Sequence, residues 1–490
     1  MLKAQIRPHG GIHPDSHKQL TSQNPVITMQ APWRLILPLK QHAGAPALPV
    51  VQVGDEVKAD QLIATGNGRF SMPIHAPLAG QISAIDQNNI TIKVDMKNSR
   101  NSIGNTARAN HALSRDEMIE LIEQSGIVGM GGAMFPTADK LRLSQKYLID
   151  TLIINGSECE PYLTCDDRLM QEQGDRIMGG IRYLQQITLA DKVFIGIEEN
   201  KPAAIAAMEA LCKAEENMHV VGLPALYPMG SEKQLIEAVT GRQVPSGKLS
   251  ADVGVLVQNV ATSIAIFEAL RFGRPLTHRV ITISGDAVEV PSNVLAPIGM
   301  PISEIVAQCG GLKSTPARIV LGGPMMGRAI TDIHAPVTKG TSGVLLLTED
   351  ELPNPKASAC VRCGRCIGAC PMSLTPLDMV AELKVDNFGK AAEMGVMDCL
   401  LCGSCAYVCP AAIPLTQYFD WGKQEINKIR FAEQKTARTC LNSAARRERM
   451  EREAAEREAA KAAKAATRRP SRRNSAAETN SAAATEEESA

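Results

Sequence analysis

Between residues 49 and 82 the chain alternates apolar and polar positions in short runs. Pro49-Val50-Val51-Gln52-Val53 leads into a Gly54-Asp55 turn ahead of Glu56-Val57. Gln61-Leu62-Ile63-Ala64 resumes the pattern, and Pro73 to Ile82 repeats it. A period of two puts alternate side chains on one face, so this stretch predicts short, half-buried strands. From about residue 114 the period lengthens. Ser114-Arg115-Asp116-Glu117 spells a capping box, and Ile119, Leu121 and Ile122 follow at helical spacing. Apolar runs then recur at 151–154, 193–197 and 253–257, separated by helical stretches at 201–216 and 231–239. That alternation predicts an α/β layer on a largely parallel sheet. Strand grammar returns at Arg279 to Gly285, followed by a short helix from Ile302 to Cys309. Leu377 to Leu383 reads as a helix. Beyond Cys440 the chain is almost entirely Ala, Arg, Glu and Lys, then Ser, Thr, Ala and Glu. Such a segment forms a single solvated helix to about Ala466 and cannot bury a core, so its last twenty residues are expected to be disordered.

The cysteines change the picture most. Two runs read Cys360-x2-Cys363-x2-Cys366-x3-Cys370-Pro371 and Cys399-x2-Cys402-x2-Cys405-x3-Cys409-Pro410. Three thiolates at this spacing wrap one face of a cubane iron–sulfur cluster, and the fourth reaches to the other cluster. Cys360, Cys363, Cys366 and Cys409 are thus expected to hold one [4Fe–4S] cluster, and Cys399, Cys402, Cys405 and Cys370 the other. Zinc is the alternative, because paired CxxC units also build structural zinc sites. Zinc sites, however, take four ligands in two pairs, not two triplets each with a fourth cysteine before proline. The remaining five cysteines (159, 165, 212, 309 and 440) lack ligand spacing to one another and read as inert thiols, although Cys159 and Cys165 lie near the cofactor loops described next.

A second chemical signal is the stretch Gly126-Ile127-Val128-Gly129-Met130-Gly131-Gly132-Ala133-Met134-Phe135-Pro136-Thr137-Ala138-Asp139-Lys140. Its glycines expose backbone N–H groups to an anion, and Lys140 offers a point charge to the same phosphate. A glycine-rich turn alone is a weak signal. Here a strand follows, ending in Asn155-Gly156-Ser157-Glu158-Cys159-Glu160. An Asn and two carboxylates at a strand end beside a phosphate loop read as a site. The competing interpretation is a solvated turn after a buried strand.

Bulk properties exclude several classes. With 490 residues the chain expects several domains, and a formal net charge of zero gives no case for nucleic-acid binding. No apolar stretch reaches the ~18–20 residues of a membrane helix, and the first residues lack the apolar core of a secretory leader. Thiolate-held clusters suit a reducing compartment, which points to the cytoplasm or a cytoplasmic membrane face. The basic tail residues Arg446, Arg447, Arg468, Arg469, Arg472 and Arg473 could meet an anionic membrane, but a merely solvated helix is the preferred expectation.

Several segments now carry a resemblance. The strand-and-turn runs near residues 49–82 resemble the barrel-sandwich hybrid of lipoyl and biotinyl carriers. Their tip here is Phe70-Ser71-Met72-Pro73, without the carrier lysine, so the swinging-arm function is not expected. The GMGGAMFPTADK loop and the NGSECEPY turn resemble the FMN- and NADH-binding part of the respiratory complex I flavoprotein. Gly10-Gly11-Ile12-His13-Pro14, Thr240-Gly241-Arg242-Gln243-Val244-Pro245 and the paired cysteine runs narrow the match. Up to about residue 430 the chain resembles the C subunits of bacterial Rnf/Rsx ion-translocating electron-transport complexes.

That resemblance implies an α/β multidomain fold. Its parts are an N-terminal barrel-sandwich hybrid (1–113), a Rossmann-like FMN/NADH-binding α/β domain (114–275), a β-grasp, SLBB-like module (276–330), a helical dicluster ferredoxin domain (350–430) and a charged tail (440–490). It implies FMN and nucleotide binding by Gly129, Gly131, Gly132 and Lys140, with Phe135 flanking the NADH base. The acidic turn carries over to Asn155, Glu158 and Glu160, and Tyr227-Pro228-Met229-Gly230-Ser231-Glu232 contributes Glu232. Val257-Gln258-Asn259-Val260 contributes Asn259, with Gln258 replacing a second asparagine. Met130 and Ser157 depart from the complex I pattern, where Arg and Asp are usual. His13 and His75 read as structural.

The function implied is that of a peripheral subunit on the cytoplasmic face of the inner membrane. It would pass electrons between NADH, FMN, two [4Fe–4S] clusters and the other subunits, with ferredoxin a further possible partner, while the membrane subunits move the ion. Two alternatives stand beside it: a soluble flavin/iron–sulfur reductase similar to the cobalamin reductases, and a cluster-only wiring module.

Overall fold

The computed structural model describes residues 1–6, 8–97, 113–352 and 356–467. A five-stranded, all-parallel sheet organises the middle of the chain. Its strands run in the order Leu2–Lys3, Met218–Leu223, Lys192–Glu198, Thr151–Gly156 and Val255–Asn259. Sequence order therefore moves outward one way from Thr151–Gly156, then reverses to place Val255–Asn259 on its other side. The capping box forms as read: Ser114 accepts from Glu117 N and opens the helix Arg115–Gln124. Helices Gly174–Thr188 and Val260–Phe272 cover one face. They meet where Gly180 packs on the backbone of Ser263, so closely that an added Cβ would fall 1.9 Å from its carbonyl oxygen.

Two antiparallel sheets form the N-terminal sandwich. One orders Arg34–Pro38, Asn89–Val94, Gly80–Ile85 and Glu56–Val57; the other Leu48–Pro49, Leu62–Thr65 and Ile74–His75. Leu35, Leu37, Ile63, Ile74, Ile82, Ile90 and Ile92 fill the space between them. The Gly54-Asp55 turn read from sequence lies between the short strands Leu48–Pro49 and Glu56–Val57, with Gly54 at φ +99°.

A six-stranded mixed sheet orders Arg328–Ile330, Arg318–Leu321, Gly343–Leu347, His278–Ser284, Ser292–Pro297 and Ile27–Thr28, with helix Ile302–Gln308 alongside. One of its two parallel pairs, His278–Ser284 with Gly343–Leu347, reaches beyond the 276–330 limits read from sequence. The first thirty residues also depart from the expected 1–113 grouping. Leu2–Lys3 extends the parallel sheet, and Ile27–Thr28 extends the mixed one. Two-residue strands leave no periodicity in a sequence to read.

The cysteine region is helical between its loops, with Pro376–Leu383 and Phe388–Glu393 following the first run. The helix Leu415–Ala466 runs into the tail. Taken alone, the unit from Gln424 onward is a solvated helix, with Arg449 and Glu453 3.9 Å apart at i,i+4. Arg446 and Arg447 lie on it, exposed. Arg468, Arg469, Arg472, Arg473 and the expected disordered end lie outside the described residues.

Candidate functional site

Reversal of strand order in a parallel sheet opens a crevice at the carboxyl ends of the two strands flanking the switch. Those strands are Thr151–Gly156 and Val255–Asn259, which end with Asn155 directly opposite Asn259. Asn259 caps the helix Val260–Phe272 by accepting from Ala261 N and Thr262 N. Its amide donates to Asp166 at 2.7 Å. The neighbouring Gln258 is buried, and its amide nitrogen has no partner among the described residues. The glycine loop arches over this point. It is closed by the Val128–Pro136 bridge and by Gly129 N donating to Phe135 O, and Gly131 lies against Asn259. Gly132, at φ +108° with open space around it, leaves its backbone accessible. The predicted loop residues and asparagines therefore do converge.

Lys140 and Glu232, both assigned to the nucleotide by resemblance, meet each other. The Lys140 ammonium is 3.0 Å from Glu232, so its charge is already matched by a carboxylate. Burial alone would raise the Glu232 pKa; Lys140 and a Ser250 hydrogen bond outweigh it and lower the value. Asn155 donates to Gly230 O and accepts from Ser157 N, tying the acidic turn to the segment before Glu232.

The two carboxylates of the acidic turn have different tasks. Glu158 accepts from Asp166 N and Asp167 N, at the start of helix Cys165–Glu172. Glu160 accepts from Met325 N and Met326 N, and burial raises its pKa to about 6. Two lysines hold the turn's backbone. Lys18 donates to the carbonyls of Glu158, Glu160 and Leu163. The buried Lys201, paired with Glu198 at 2.7 Å, donates to Ser157 O. Burial and the charge of Glu158 also raise the Asp166 pKa. Lys18, Lys201 and Asp166 escape sequence reasoning because they carry no spacing signal; they act across stretches the chain only closes by folding. Met130 and Ser157, the two departures, are both buried. Met130 N donates to Thr262 Oγ1, and Ser157 Oγ to Glu198.

In the cysteine region, two cavities open. One is lined by Cys370, Cys399, Cys402 and Cys405 among apolar side chains. The other is lined by Cys360, Cys363, Cys366 and Cys409. Both runs turn through left-handed residues at matching places, Arg362 and Leu401 and then Gly364 and Gly403, which curl the backbone around each cavity. Backbone amides aim at sulfur: Arg362 N at Cys360, Leu374 N at Cys370 and Leu401 N at Cys399, at 3.3–3.4 Å. Thiolate donors around a cavity, with amides supporting the sulfurs, suit an iron–sulfur cluster. The crevice, with the exposed backbone of Gly131 and Gly132 above it, likewise suits a phosphorylated ligand such as FMN.

The first cavity adjoins the α/β domain. Tyr227 donates to Cys402 O at 2.7 Å, and Gln234 donates to Pro371 O. Ile12, Tyr227, Ala369 and Cys402 pack together with Cys159. Gly230 N donates to the Cys159 thiol, which burial pushes up to about 12, so this cysteine is an inert packing group. His13 bonds Ala225 O, and burial lowers His75 to about 4.

Family models match along the chain. They are the RnfC barrel sandwich hybrid domain over 6–100, the Nuo51 FMN-binding domain over 122–268, the SLBB domain over 280–329 and a 4Fe-4S dicluster domain over 353–410. The C subunit of an ion-translocating oxidoreductase complex from Rhodobacter capsulatus is 43% identical over 86% of this chain and 83% of its own length. The chain belongs to the C-subunit family of ion-translocating oxidoreductase complexes. Other relatives in this family are the C subunit of the proton-translocating ferredoxin:NAD(+) oxidoreductase complex of Clostridium ljungdahlii (44% identical, 78% of this chain and 86% of that one) and its counterpart in the Na(+)-translocating complex of Acetobacterium woodii (38%, 79% and 90%). As a family member, the chain is an electron-transfer subunit of a multi-subunit oxidoreductase complex, and its cofactors are FMN and [4Fe–4S] clusters. The zinc, soluble-reductase and cluster-only alternatives are thereby set aside. No helix among the described residues is long and apolar enough to cross a membrane.

Proposed function

We propose that this chain carries electrons between NAD(H) and the other subunits of its complex from the cytoplasmic face of the membrane, with FMN in the crevice under the glycine loop. The observation that carries this is the shared wall between crevice and cysteines: Tyr227, four residues before the segment's Ser231-Glu232, donates to the backbone of Cys402. FMN accepts electrons in pairs as hydride and releases them singly, the conversion needed between a nicotinamide and iron–sulfur clusters. The chain's own residues orient and insulate. Gly129, Gly131 and Gly132 present backbone to phosphate, while Asn155 and Asn259 fix the floor. Glu158 and Glu160 hold the turn's shape rather than trade protons, and Phe135 flanks the nucleotide. Glu232 keeps Lys140 in place at the crevice edge. Cys370, Cys399, Cys402 and Cys405 hold the cluster beside the flavin domain, and Cys360, Cys363, Cys366 and Cys409 hold the outer one, whose Cys360 and Cys363 are exposed toward a partner. The electron partner is another subunit, or ferredoxin.

Anaerobic purification with metal and flavin analysis tests this. The expected result is about eight irons per chain, with FMN, and bleaching by NADH. Ligand assignment is tested by paramagnetic resonance of reduced variants. Cys409→Ser should abolish the same signal as Cys366→Ser, and Cys370→Ser the same one as Cys405→Ser. Loss of one signal by both Cys409→Ser and Cys405→Ser would sink the crossed assignment.

A further inference from the structure

The tip of the N-terminal sandwich, whose equivalent in carrier domains bears a swinging arm, does not point into open solvent here. It leans on the glycine loop. The ring of Phe70 lies 5.1 Å from that of Phe135, tilted by 50°. The Arg69 guanidinium stands 4.4 Å over the Phe70 ring. The arrangement is built into the tip. Phe70 is held at φ +64°, a conformation few non-glycine residues adopt, and its carbonyl accepts from Gly44 N at 2.9 Å. A Cβ on Gly44 would sit 2.3 Å from the Phe70 carbonyl carbon. Next along the chain, His42 Nε2 lies 3.0 Å from Ser71 Oγ. The buried Lys339 ammonium donates at 2.7 Å both to Pro73 O and to Gly126 O, joining the tip to the root of the glycine loop.

Charge gives the tip its purpose. A dinucleotide brings a pyrophosphate, which needs a cation. Lys140, the loop's own cation, is matched by Glu232. Arg69 is exposed, stacked on an aromatic face, and forms no ion pair among the described residues. Guanidinium groups suit phosphate oxygens because their donors are fixed in a fork, and stacking on a ring leaves those donors free.

We infer that Arg69 and Phe70 form part of the dinucleotide site: Phe70 extends the aromatic wall begun by Phe135, and Arg69 supplies the cation for the pyrophosphate of NADH. This rests on the reading that NADH binds at the glycine loop. It adds a residue pair from a different module, so that the crevice is completed only when the sandwich is docked.

The test is NADH affinity of the full, cofactor-loaded chain, read by NADH fluorescence as a function of salt, with iron and FMN content as controls. Arg69→Gln should weaken NADH about tenfold and flatten the salt dependence, with FMN and iron unchanged. Arg69→Lys should recover part of the loss, and Phe70→Leu should weaken binding severalfold at unchanged salt slope. Wild-type affinity and salt slope in Arg69→Gln would overturn the inference while leaving NADH binding at the loop intact. A wild-type chain that does not bind NADH at all would overturn that underlying reading and the inference with it.

Discussion

His42 shows how one side chain can make the tip sensitive to acid. It is 3% exposed, within 2.9 Å of Ala45 O. Burial, helped by the nearby charges of Lys339 and Lys40, lowers its pKa from 6.5 to about 4. An unfolded tip takes up the proton through pH 6.5, whereas the folded tip takes it up only near pH 4. The stability tied to the neutral ring is therefore complete above 6.5 and lost as the pH falls through 4. Amide hydrogen exchange over Gly44 to Met72 should report easier opening across that window, and His42→Gln should reduce the dependence to the part carried by His75; equal pH profiles would contradict the assignment. The residue scale is also where sequence reading is uneven. Eight cysteines announce themselves because their spacing is local. Lys18 and Tyr227 do not, since the groups they bind lie 140 and 175 residues away in the chain.

Among the elements, the parallel sheet is legible because its apolar runs are continuous, as strands buried on both faces must be. Met218–Leu223 is not: His219 and Gly222 interrupt its apolar residues, and it is recognisable only beside Lys192–Glu198. The helix pair over the sheet is legible as helices but not as a contact. That contact depends on Gly180, and adding a methyl group there would force the helices apart against a carbonyl that cannot yield. Gly180→Ala should cost about 3 kcal/mol, at the upper end for overpacking, measurable as a lower denaturation midpoint. A variant as stable as wild type would mean that the helices have room to shift. The crevice itself is legible in its loop and its strand end. What stays hidden in the sequence is the reversal of strand order that puts Asn259 opposite Asn155.

For the molecule through Lys423, modules meet through a few buried polar groups rather than through broad apolar faces alone. Lys339 is the clearest case. It is 2% exposed, and burial lowers its pKa to about 7. Its two carbonyl partners belong to the sandwich and to the glycine-loop segment. Lys339→Met leaves both carbonyls without this donor, which should cost roughly 1–3 kcal/mol and accelerate hydrogen exchange around Ile74 and Gly126. Unchanged exchange at both places would remove Lys339 as the link. The order of modules along the chain can be read from sequence, but not how the opening residues are shared among them. Leu2–Lys3 occupies an edge of the parallel sheet beside Met218–Leu223, and Gly11 N donates to Ala369 O in the cysteine region. During synthesis, then, the segment from Leu2 to Gly11 leaves the ribosome well ahead of the edge it pairs with, made more than two hundred residues later, and of a cysteine run made later still. Local pieces can form early, but these contacts cannot close until the first cluster motif has emerged.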